Sequence, residues 1–419
     1  MVKKNQRFSS SPRVGSLGMT IFSIVLLLSS SAFSKWPEFQ YDPNHPFLKS
    51  EFQTDIDSLT HSQITYGNQF ELLIDAGPSL KKKIELVKNA KETIFVSAMI
   101  FLRYLDPTLK EFVETLIEKA NEGVKVYVII DSLNANLDPQ TFKRLSHKGV
   151  HVGYFNQTLK PDAIPWEIRM HEKYVVVDTQ KAVIGGQNLY DERYPLIPKN
   201  IIEWRDTDIY IEGPIVQKIS DHFVELWKTL DPTAPPTQTV EIPPLDLSPE
   251  KRKFHISEAR FLYNEPYQGQ KNINLYTLKL IENAQHHIFW AGNQVALNEE
   301  FEKALKDAAD RGVQVTLLTN SFATSWWAPG WYQYYFWIGY RPFRNSNVTL
   351  RLYQNRYNHS KIFYVDGVVA SIGSLNHDTF SLENDAEATV VSYDRDFNQV
   401  VYQQLLTDLE DTNRFWFPF

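Results

Sequence analysis

The chain has 419 residues, a length that allows about two domains of ordinary size. Its 43 lysines and arginines stand against 50 aspartates and glutamates, and the formal net charge of −7 at pH 7 argues against a general nucleic-acid binder. The sequence contains no cysteine, which excludes disulfides and a lipid-modified cysteine anchor.

Residues 1–34 have the pattern of a secretory signal peptide. Basic residues between Lys3 and Arg13 precede an apolar core at 19–28, and Ala32-Phe-Ser34 is a small-x-small cleavage site. The apolar core is shorter than the roughly 20 residues that a spanning helix needs. We therefore expect a protein exported to the bacterial periplasm or secreted. An inner-membrane protein anchored through an uncleaved signal is the alternative.

Two stretches of the chain predict the same order of strands and helices. The elements predicted in the first stretch are a strand at 71–74, a helix at 80–90, a strand at 93–101, a helix at 107–122 and a strand at 124–131. The last four are matched by a helix at 273–284, a strand at 287–291, a helix at 299–311 and a strand at 313–319. Such alternation makes parallel βαβ units, so the predicted fold class is α/β with two lobes.

A proline-rich segment that begins at Asp231 separates the two stretches. Proline lacks an amide hydrogen and has a fixed φ, so this segment does not continue a helix or a sheet. The predicted organisation is a signal peptide at 1–34, a first lobe at 35–230, a linker at 231–249 and a second lobe at 250–419.

One set of five residues occurs twice, and each member of the second set follows its counterpart by the same interval. The two sets are His171, Lys173, Asp178, Gly185 and Asn188, and His359, Lys361, Asp366, Gly373 and Asn376. Each set surrounds a β-branched and aromatic run typical of a strand, in which residues two apart share a face. The histidine and lysine of each set are therefore predicted to project together. The pairs Gly185-Gly186 and Gly373-Ser374 allow a sharp turn or a close approach to a ligand.

The residue types in each set are those that bind and transfer phosphate. Imidazole, ammonium and amide groups that converge on one point form an anion site, and phosphate is the common anion of this kind. With two sets, one histidine can attack phosphorus while the other, protonated, gives a proton to the leaving oxygen. Two lysines and two asparagines would stabilise the charge on the non-bridging oxygens. This scheme requires no metal and no other cofactor, and none is expected.

The doubled pattern His-x-Lys-x4-Asp-x6-Gly-Gly/Ser-x-Asn resembles the signature of the phospholipase D superfamily. The surrounding segments 185–192, 204–207, 211–214 and 381–387 look like those of bacterial cardiolipin synthases. The resemblance implies a tandem pair of phospholipase D-like α/β lobes with pseudo-twofold symmetry, with the active site at their interface. It also implies a covalent phosphohistidine intermediate.

The resemblance assigns roles to residues of this chain. The catalytic set that it implies is His171, Lys173, Asn188, His359, Lys361 and Asn376. Asp206 and Glu387 would each hydrogen-bond its motif histidine and fix the tautomer, with ordinary strand-end ion pairs as the alternative. The residues that would support the motifs are Asp178, Asp366, Gly185, Gly186, Gly373 and Ser374. His171 is the implied nucleophile and His359 the acid, while the symmetry of the halves leaves the opposite assignment open.

An aromatic segment at 325–340 interrupts the match between the halves, in place of the expected helix. Tryptophan and tyrosine favour the membrane–water interface, so we expect membrane contact from Trp326, Trp327, Trp331 and Trp337. Packing of this segment against its own lobe is the competing interpretation.

The expected function is phosphodiester cleavage or phosphatidyl transfer on a phospholipid, with peripheral membrane contact and no nucleic-acid partner. An exported nuclease of the same superfamily and a catalytically silent lipid-binding protein are the alternatives. Because one chain carries both motifs, a monomer is sufficient to build the site.

Overall fold

The computed structural model describes residues 38–101, 107–157, 165, 167–189, 204–230, 257–325 and 330–415. The predicted signal peptide and linker lie outside these residues. Trp326 and Trp327 do so as well.

Helices and strands alternate through most of the described chain. The helices are α1 (Ser50–Thr60), α2 (Ala76–Asn89), α3 (Pro107–Asn121), α4 (Ser132–Ala135), α5 (Pro139–His147), α6 (Ile215–Leu230), α7 (Asn272–Asn283), α8 (Glu299–Asp310), α9 (Gly330–Tyr340), α10 (Thr379–Glu383) and α11 (Arg395–Glu410). The strands of the first half are β1 (Thr65–Ile74), β2 (Thr93–Ala98), β3 (Lys125–Asp131), β4 (His151–Phe155), β5 (Tyr174–Val177), β6 (Lys181–Gly185) and β7 (Thr207–Glu212). Those of the second half are β8 (Ser257–Glu265), β9 (Gln270–Lys271), β10 (His287–Ala291), β11 (Gln314–Asn320), β12 (Thr349–Tyr353), β13 (Ile362–Val365), β14 (Val369–Gly373), β15 (Glu387–Ser392) and β16 (Thr412–Arg414).

The strands of the described residues form one continuous sheet that runs through both lobes. Its order is β16-β12-β11-β10-β13-β14-β15-β8-β1-β7-β6-β5-β2-β3-β4, and β9 pairs with β8 beside this path. The three strands β2, β3 and β4 are parallel, as are β10, β11 and β12, while the remaining pairs are antiparallel. The lobes join where β1 pairs antiparallel with β8.

The strand order gives the same sequence of elements when it is read outward from this junction in either direction. From β1 it continues through β7, β6, β5, β2, β3 and β4; from β8 it continues through β15, β14, β13, β10, β11 and β12. The fold is therefore the expected pair of α/β lobes related by a pseudo-twofold axis, with β16 as an addition at one edge.

Each lobe has its own apolar core between the sheet and its helices. The short segment before β1 packs with the second lobe, since Phe47 and Ile56 are buried in that lobe's core. A 2.7 Å ion pair between Asp57 and Arg260 adds to the contact. This part of the chain had been grouped by sequence with the first lobe, because order along the chain gives no information on which core an amphipathic helix covers.

Two local predictions are corrected by the structure. The aromatic segment contains a helix, α9, which sequence analysis did not predict because Pro329 and Gly330 lie at its start and its aromatic residues have no helical period. The motif strands β5 and β13 begin at Tyr174 and Ile362, after the predicted His171 and His359. The backbone N–H of His171 bonds Ala386 of the other lobe at 2.8 Å, outside the ladder of its own lobe.

Among the described residues, no helix combines the length and apolar composition required to cross a bilayer.

Candidate active site

The segments that carry the two motif histidines each cross to the opposite lobe. In the first, His171 N donates to Ala386 O at 2.8 Å, and Ala386 N donates to Arg169 O at 2.8 Å. In the second, the symmetry-related bonds join Arg205 N to Tyr357 O at 2.9 Å and His359 N to Arg205 O at 2.7 Å. These backbone bonds thus hold each motif histidine next to a residue of the other lobe, Ala386 or Arg205. The residue that follows it in the chain is a carboxylate, Glu387 or Asp206.

The two histidine–carboxylate pairs follow from these bridges. His171 Nδ1 lies 2.8 Å from Glu387 Oε1, and His359 Nδ1 lies 2.7 Å from Asp206 Oδ2. All four side chains are buried. The sequence had assigned each carboxylate to its motif histidine, whereas in the structure the partners come from opposite lobes. Because Nδ1 is occupied by a carboxylate, Nε2 of each ring is the nitrogen available for chemistry.

The glycine-rich turns differ between lobes in a way that matches their carboxylates. Ser374 Oγ donates to Glu387 Oε2, and it accepts from Ala388 N at 3.0 Å. At the equivalent position Gly186, a Cβ would overlap Asp206 Oδ1 and would lie 3.1 Å from Lys361 Cδ. The absent side chain therefore leaves room for the shorter carboxylate and lets the two motifs touch.

The motif lysines turn back on their own histidines. Lys173 Nζ donates to His171 O, and Lys361 Nζ donates to His359 O. Both lysines are buried. Burial lowers the pKa of Lys173 to about 7 and that of Lys361 to about 8, although Glu387 and Asp206 oppose the shift. Each ammonium therefore lies in a site where an added anion would restore its charge.

The two motif asparagines are buried as well. Asn188 is buried and its Oδ1 accepts from Ile100 N at 3.3 Å, which leaves the NH₂ group as its donor. Asn376 is also buried, and its Oδ1 has no hydrogen-bond partner among the described groups. An unsatisfied amide in a buried polar site is costly unless a ligand or water completes its hydrogen bonds.

The motif aspartates lie at the far ends of the motif strands, away from the histidines. Asp178 has φ +52° and accepts from the backbone N–H groups of Lys91, Glu92 and Thr93. Asp366 also has φ +52°, and it accepts from three consecutive N–H groups at 285–287 and bonds His45 Nε2 at 3.1 Å. These carboxylates hold the turn after each motif strand against the neighbouring chain.

The two histidines differ in their electrostatic surroundings. Burial, Lys361 and Lys173 hold the pKa of His359 well below its ordinary value, and burial raises the pKa of its partner Asp206 to about 6. Burial also lowers the pKa of His171, but Glu387 counteracts it. The pKa of Glu387 is lowered, because His171 and Lys173 outweigh the effect of burial.

Sequence analysis missed a third carboxyl at the site, Asp385. One of its oxygens lies within 4.8 Å of a ring nitrogen of His171 and of a carboxylate oxygen of Glu387. Burial, Glu387 and Asp378 raise its pKa well above the ordinary value. A search for repeated residues could not find it, because the equivalent position in the other lobe is Trp204.

His171, Asp385 and Glu387 are also the described set with the spacing of metal ligands. Two features argue against a cation there. His171 Nδ1 is already bonded to Glu387, and the charge of Lys173 acts on both carboxylates. A hydrogen-bonded network is the better description of this set.

Of the aromatic residues expected at a membrane, Trp337 is described with its side chain. It lies on α9 with 48% of its surface exposed, and the guanidinium of Arg341 lies 5.2 Å from the ring centroid. Its neighbours Tyr334 and Ile338 are exposed as well. Trp331 lies on the same helix, and its side chain is outside the described part.

Two α/β lobes that bring paired histidines and lysines together at their interface define a phospholipase D-type protein. The sequence family described as "Cardiolipin synthase, PLD-like domain" matches residues 84–227 and 277–409, so the chain belongs to that family within the phospholipase D superfamily.

Individual relatives agree with this membership. Cardiolipin synthase A of Pseudomonas syringae pv. syringae (strain B728a) is 28% identical over 352 residues, which cover 82% of this chain and 68% of the relative. The major cardiolipin synthase of Bacillus subtilis (strain 168) is 26% identical over 362 residues, covering 85% and 72%. The crystal structure of phosphatidylserine synthase from Haemophilus influenzae Rd KW20 has a TM-score of 0.64 at 16% identity. It covers 83% of this chain and 87% of that chain, which is a likeness of fold.

Proposed function

We propose that this protein transfers phosphatidyl groups between alcohols, as a cardiolipin synthase-like enzyme, with hydrolysis as the reaction when water is the acceptor. The observation that carries the proposal is that each motif histidine bonds a carboxylate of the opposite lobe, with two buried lysines beside them. Relatives of similar sequence that are named cardiolipin synthases support a phospholipid as substrate.

The reaction would proceed in two displacements at one phosphorus. In the first, Nε2 of one neutral histidine bonds phosphorus, the bond to the leaving alcohol breaks, and the protonated second histidine gives its proton to the leaving oxygen. In the second, the new alcohol gives its proton to that second histidine and attacks phosphorus, and the N–P bond breaks. The ammonium groups of Lys173 and Lys361 stabilise the non-bridging oxygens in both steps.

Contact with a lipid surface would bring substrate to the cleft. The exposed side chains of Tyr334, Trp337 and Ile338 on α9 support this contact, since such residues favour the bilayer interface. Export of the protein, predicted from residues 1–34, remains part of the proposal.

The test uses purified protein, mixed phosphatidylglycerol and phosphatidylethanolamine vesicles, and added glycerol. Mass spectrometry of the lipids is expected to detect cardiolipin, phosphatidic acid or a headgroup-exchanged lipid. The control is His359→Ala, in which these products should be absent. If wild-type protein forms none of them, phosphatidyl transfer is excluded as its activity. A nuclease assay on single-stranded DNA and vesicle binding without turnover would then separate the two alternatives.

A further inference from the structure

Positions 204 and 385 are equivalent in the pseudo-twofold frame, and each lies close to a motif histidine. Residues 205 and 386 form the equivalent interlobe bridges, so the residues before them correspond. The ring centroid of Trp204 lies 5.4 Å from that of His359. An oxygen of Asp385 lies within 4.8 Å of a ring nitrogen of His171. The symmetry that relates the catalytic residues is therefore broken next to them.

The surroundings of His359 are aromatic. Trp204 packs on Tyr357 with ring centroids 4.6 Å apart, and both residues are buried. Together they form one wall beside the imidazole. A wall of this kind offers apolar area to a ligand and little polar binding for a hydroxyl group.

The surroundings of His171 are polar. Asp385 Oδ1 accepts from Arg169 N at 3.3 Å, and the Arg169 guanidinium pairs with Asp131. Asp378 is a further buried carboxyl whose charge acts on His171. Carboxyl oxygens are strong acceptors for alcohol hydroxyl groups. A hydroxyl-bearing ligand is therefore better bound on the His171 side.

The geometry of phosphoryl transfer links this asymmetry to the roles of the histidines. The attacking and leaving atoms lie roughly in line on opposite sides of phosphorus. The histidine that protonates the leaving oxygen must be within hydrogen-bond reach of that oxygen. The alcohol therefore lies beside the acid histidine, and the nucleophile lies on the opposite side.

We propose that the alcohol binds on the His171 side against Asp385, so that His171 is the acid and base and His359 is the nucleophile. The alcohol is the leaving headgroup in the first displacement and a neutral polyol such as glycerol, or a glycerol headgroup, in the second. This inference rests on the proposed phosphatidyl transfer. It reverses the assignment that the family resemblance implies for the two histidines.

The charges around the rings agree with this assignment. Burial and the two lysines keep the pKa of His359 well below its ordinary value, so His359 is neutral and able to attack. The pKa of His171 is lowered by burial but supported by Glu387, which stabilises an imidazolium. Burial, Glu387 and Asp378 raise the pKa of Asp385 well above its ordinary value, which favours the protonated carboxyl group, a form that can both donate to and accept from a hydroxyl.

The first test traps the covalent intermediate with the p-nitrophenyl ester of phosphatidic acid in detergent micelles. Its leaving group needs no proton, so attack can occur without the acid, whereas the second displacement still needs the base. His171→Ala should release a burst of about one p-nitrophenol per chain and carry a phosphatidyl adduct on His359. His359→Ala should carry no adduct. Peptide mass spectrometry at neutral to alkaline pH, where phosphohistidine persists, locates the group.

The reverse result, an adduct on His171 in His359→Ala, overturns the assignment. An adduct in neither variant, while wild-type protein turns the ester over, overturns it too. Failure of wild-type protein to turn over any lipid ester instead refutes the proposed function on which the assignment rests. Circular dichroism spectra matching wild type show that each variant is folded.

The second test measures acceptor choice at the two equivalent positions. Asp385→Ala should lower the ratio of glycerol-transfer product to phosphatidic acid about tenfold at fixed glycerol, since a hydrogen bond in a buried site is lost. Trp204→Phe is the matched change beside the other histidine and should leave this ratio unaltered. A change in ratio for Trp204→Phe but not for Asp385→Ala would place the alcohol on the His359 side and overturn the proposal.

Discussion

Gly186 and Ser374 are equivalent residues that accommodate carboxylates of different length. Ser374 donates its hydroxyl to Glu387, which reaches across to His171. Asp206 is one methylene shorter, and its Oδ1 occupies the space that a side chain at 186 would need. The difference between the two motifs at this position is therefore a consequence of using aspartate in one lobe and glutamate in the other.

Substitution of this glycine tests the fit. In Gly186→Ala the new methyl group would displace Asp206 from His359, and we expect kcat to fall about ten- to a hundredfold, as for other residues that orient a catalytic ligand. Lipid turnover is the measurement. Gly77→Ala is the control, because a Cβ there meets nothing within 4 Å. Equal activities of the two variants would show that Asp206 does not require a glycine at position 186.

The low pKa values of the motif lysines predict an alkaline limit to activity. Burial lowers the pKa of Lys173 to about 7 and that of Lys361 to about 8. A lysine that loses its proton no longer attracts phosphate, so kcat/KM should fall as pH rises through 7 to 8. The Lys361→Arg variant keeps its charge at these pH values. Its kcat/KM should therefore lack the part of the fall that occurs near pH 8, even if its maximal rate is reduced. A wild-type profile that stays level to pH 9 would contradict this explanation.

Among the secondary-structure elements, α2 and β7 form a buried ion pair that supports the turn after β6. The equivalent residues of the other lobe are neutral. Lys83 Nζ on α2 lies 2.8 Å from Asp208 Oδ2 on β7, and both residues are buried. Asp208 Oδ1 accepts from Gln187 N at 3.0 Å, next to Asn188. In the second lobe Thr277 and Thr389 line a small cavity of about 20 Å³ instead, together with Lys361 and several apolar residues.

Removal of one partner should be costly. Lys83→Met leaves a buried carboxylate without its cation, and the free energy of unfolding in urea should drop by about 3–5 kcal/mol. The double variant Lys83→Thr with Asp208→Thr, which copies the neutral residues of the second lobe, should be less destabilised than Lys83→Met. If the single variant is the more stable of the two, the ion pair is not required to hold this turn.

The aromatic helix α9 gives a separate prediction. Trp337 is about half exposed, and transfer of its apolar surface into a bilayer should stabilise binding by about 1 kcal/mol. Trp337→Ala should therefore weaken sedimentation with phosphatidylglycerol vesicles about fivefold. Val400→Ala is the control, since Val400 is an exposed apolar residue on a different helix. Equal losses of vesicle binding in both variants would show that α9 is not a specific membrane contact.

These elements also mark the limit of prediction from sequence. Strands and helices with clear periodicity, such as β10 and α8, lie within a residue of their predicted bounds. The helix α9 was not predicted, because its aromatic residues carry no amphipathic pattern. Asp385 was not found as a site residue, since the search depended on identical residues in both halves and its counterpart is Trp204.

At the scale of the whole molecule, the site is shared between lobes at every level. The histidine of each lobe bonds the carboxylate of the other, and backbone bridges at 171 and 359 connect the lobes on both sides of the axis. The repeat in the sequence predicts two half-sites at an interface. It cannot predict which carboxylate serves which histidine, because that depends on how the chain crosses between lobes.

If the two histidines act in succession on one phosphate, the stereochemical course at phosphorus records both steps. The substrate is a phosphatidylethanolamine made chiral at phosphorus with sulfur and oxygen isotopes, and the phosphatidylglycerol formed by transfer to glycerol is analysed by ³¹P NMR. Two in-line displacements through a phosphohistidine invert the centre twice, so we expect overall retention of configuration. Inversion would mean that the alcohol attacks the lipid phosphate directly, and it would contradict the covalent mechanism.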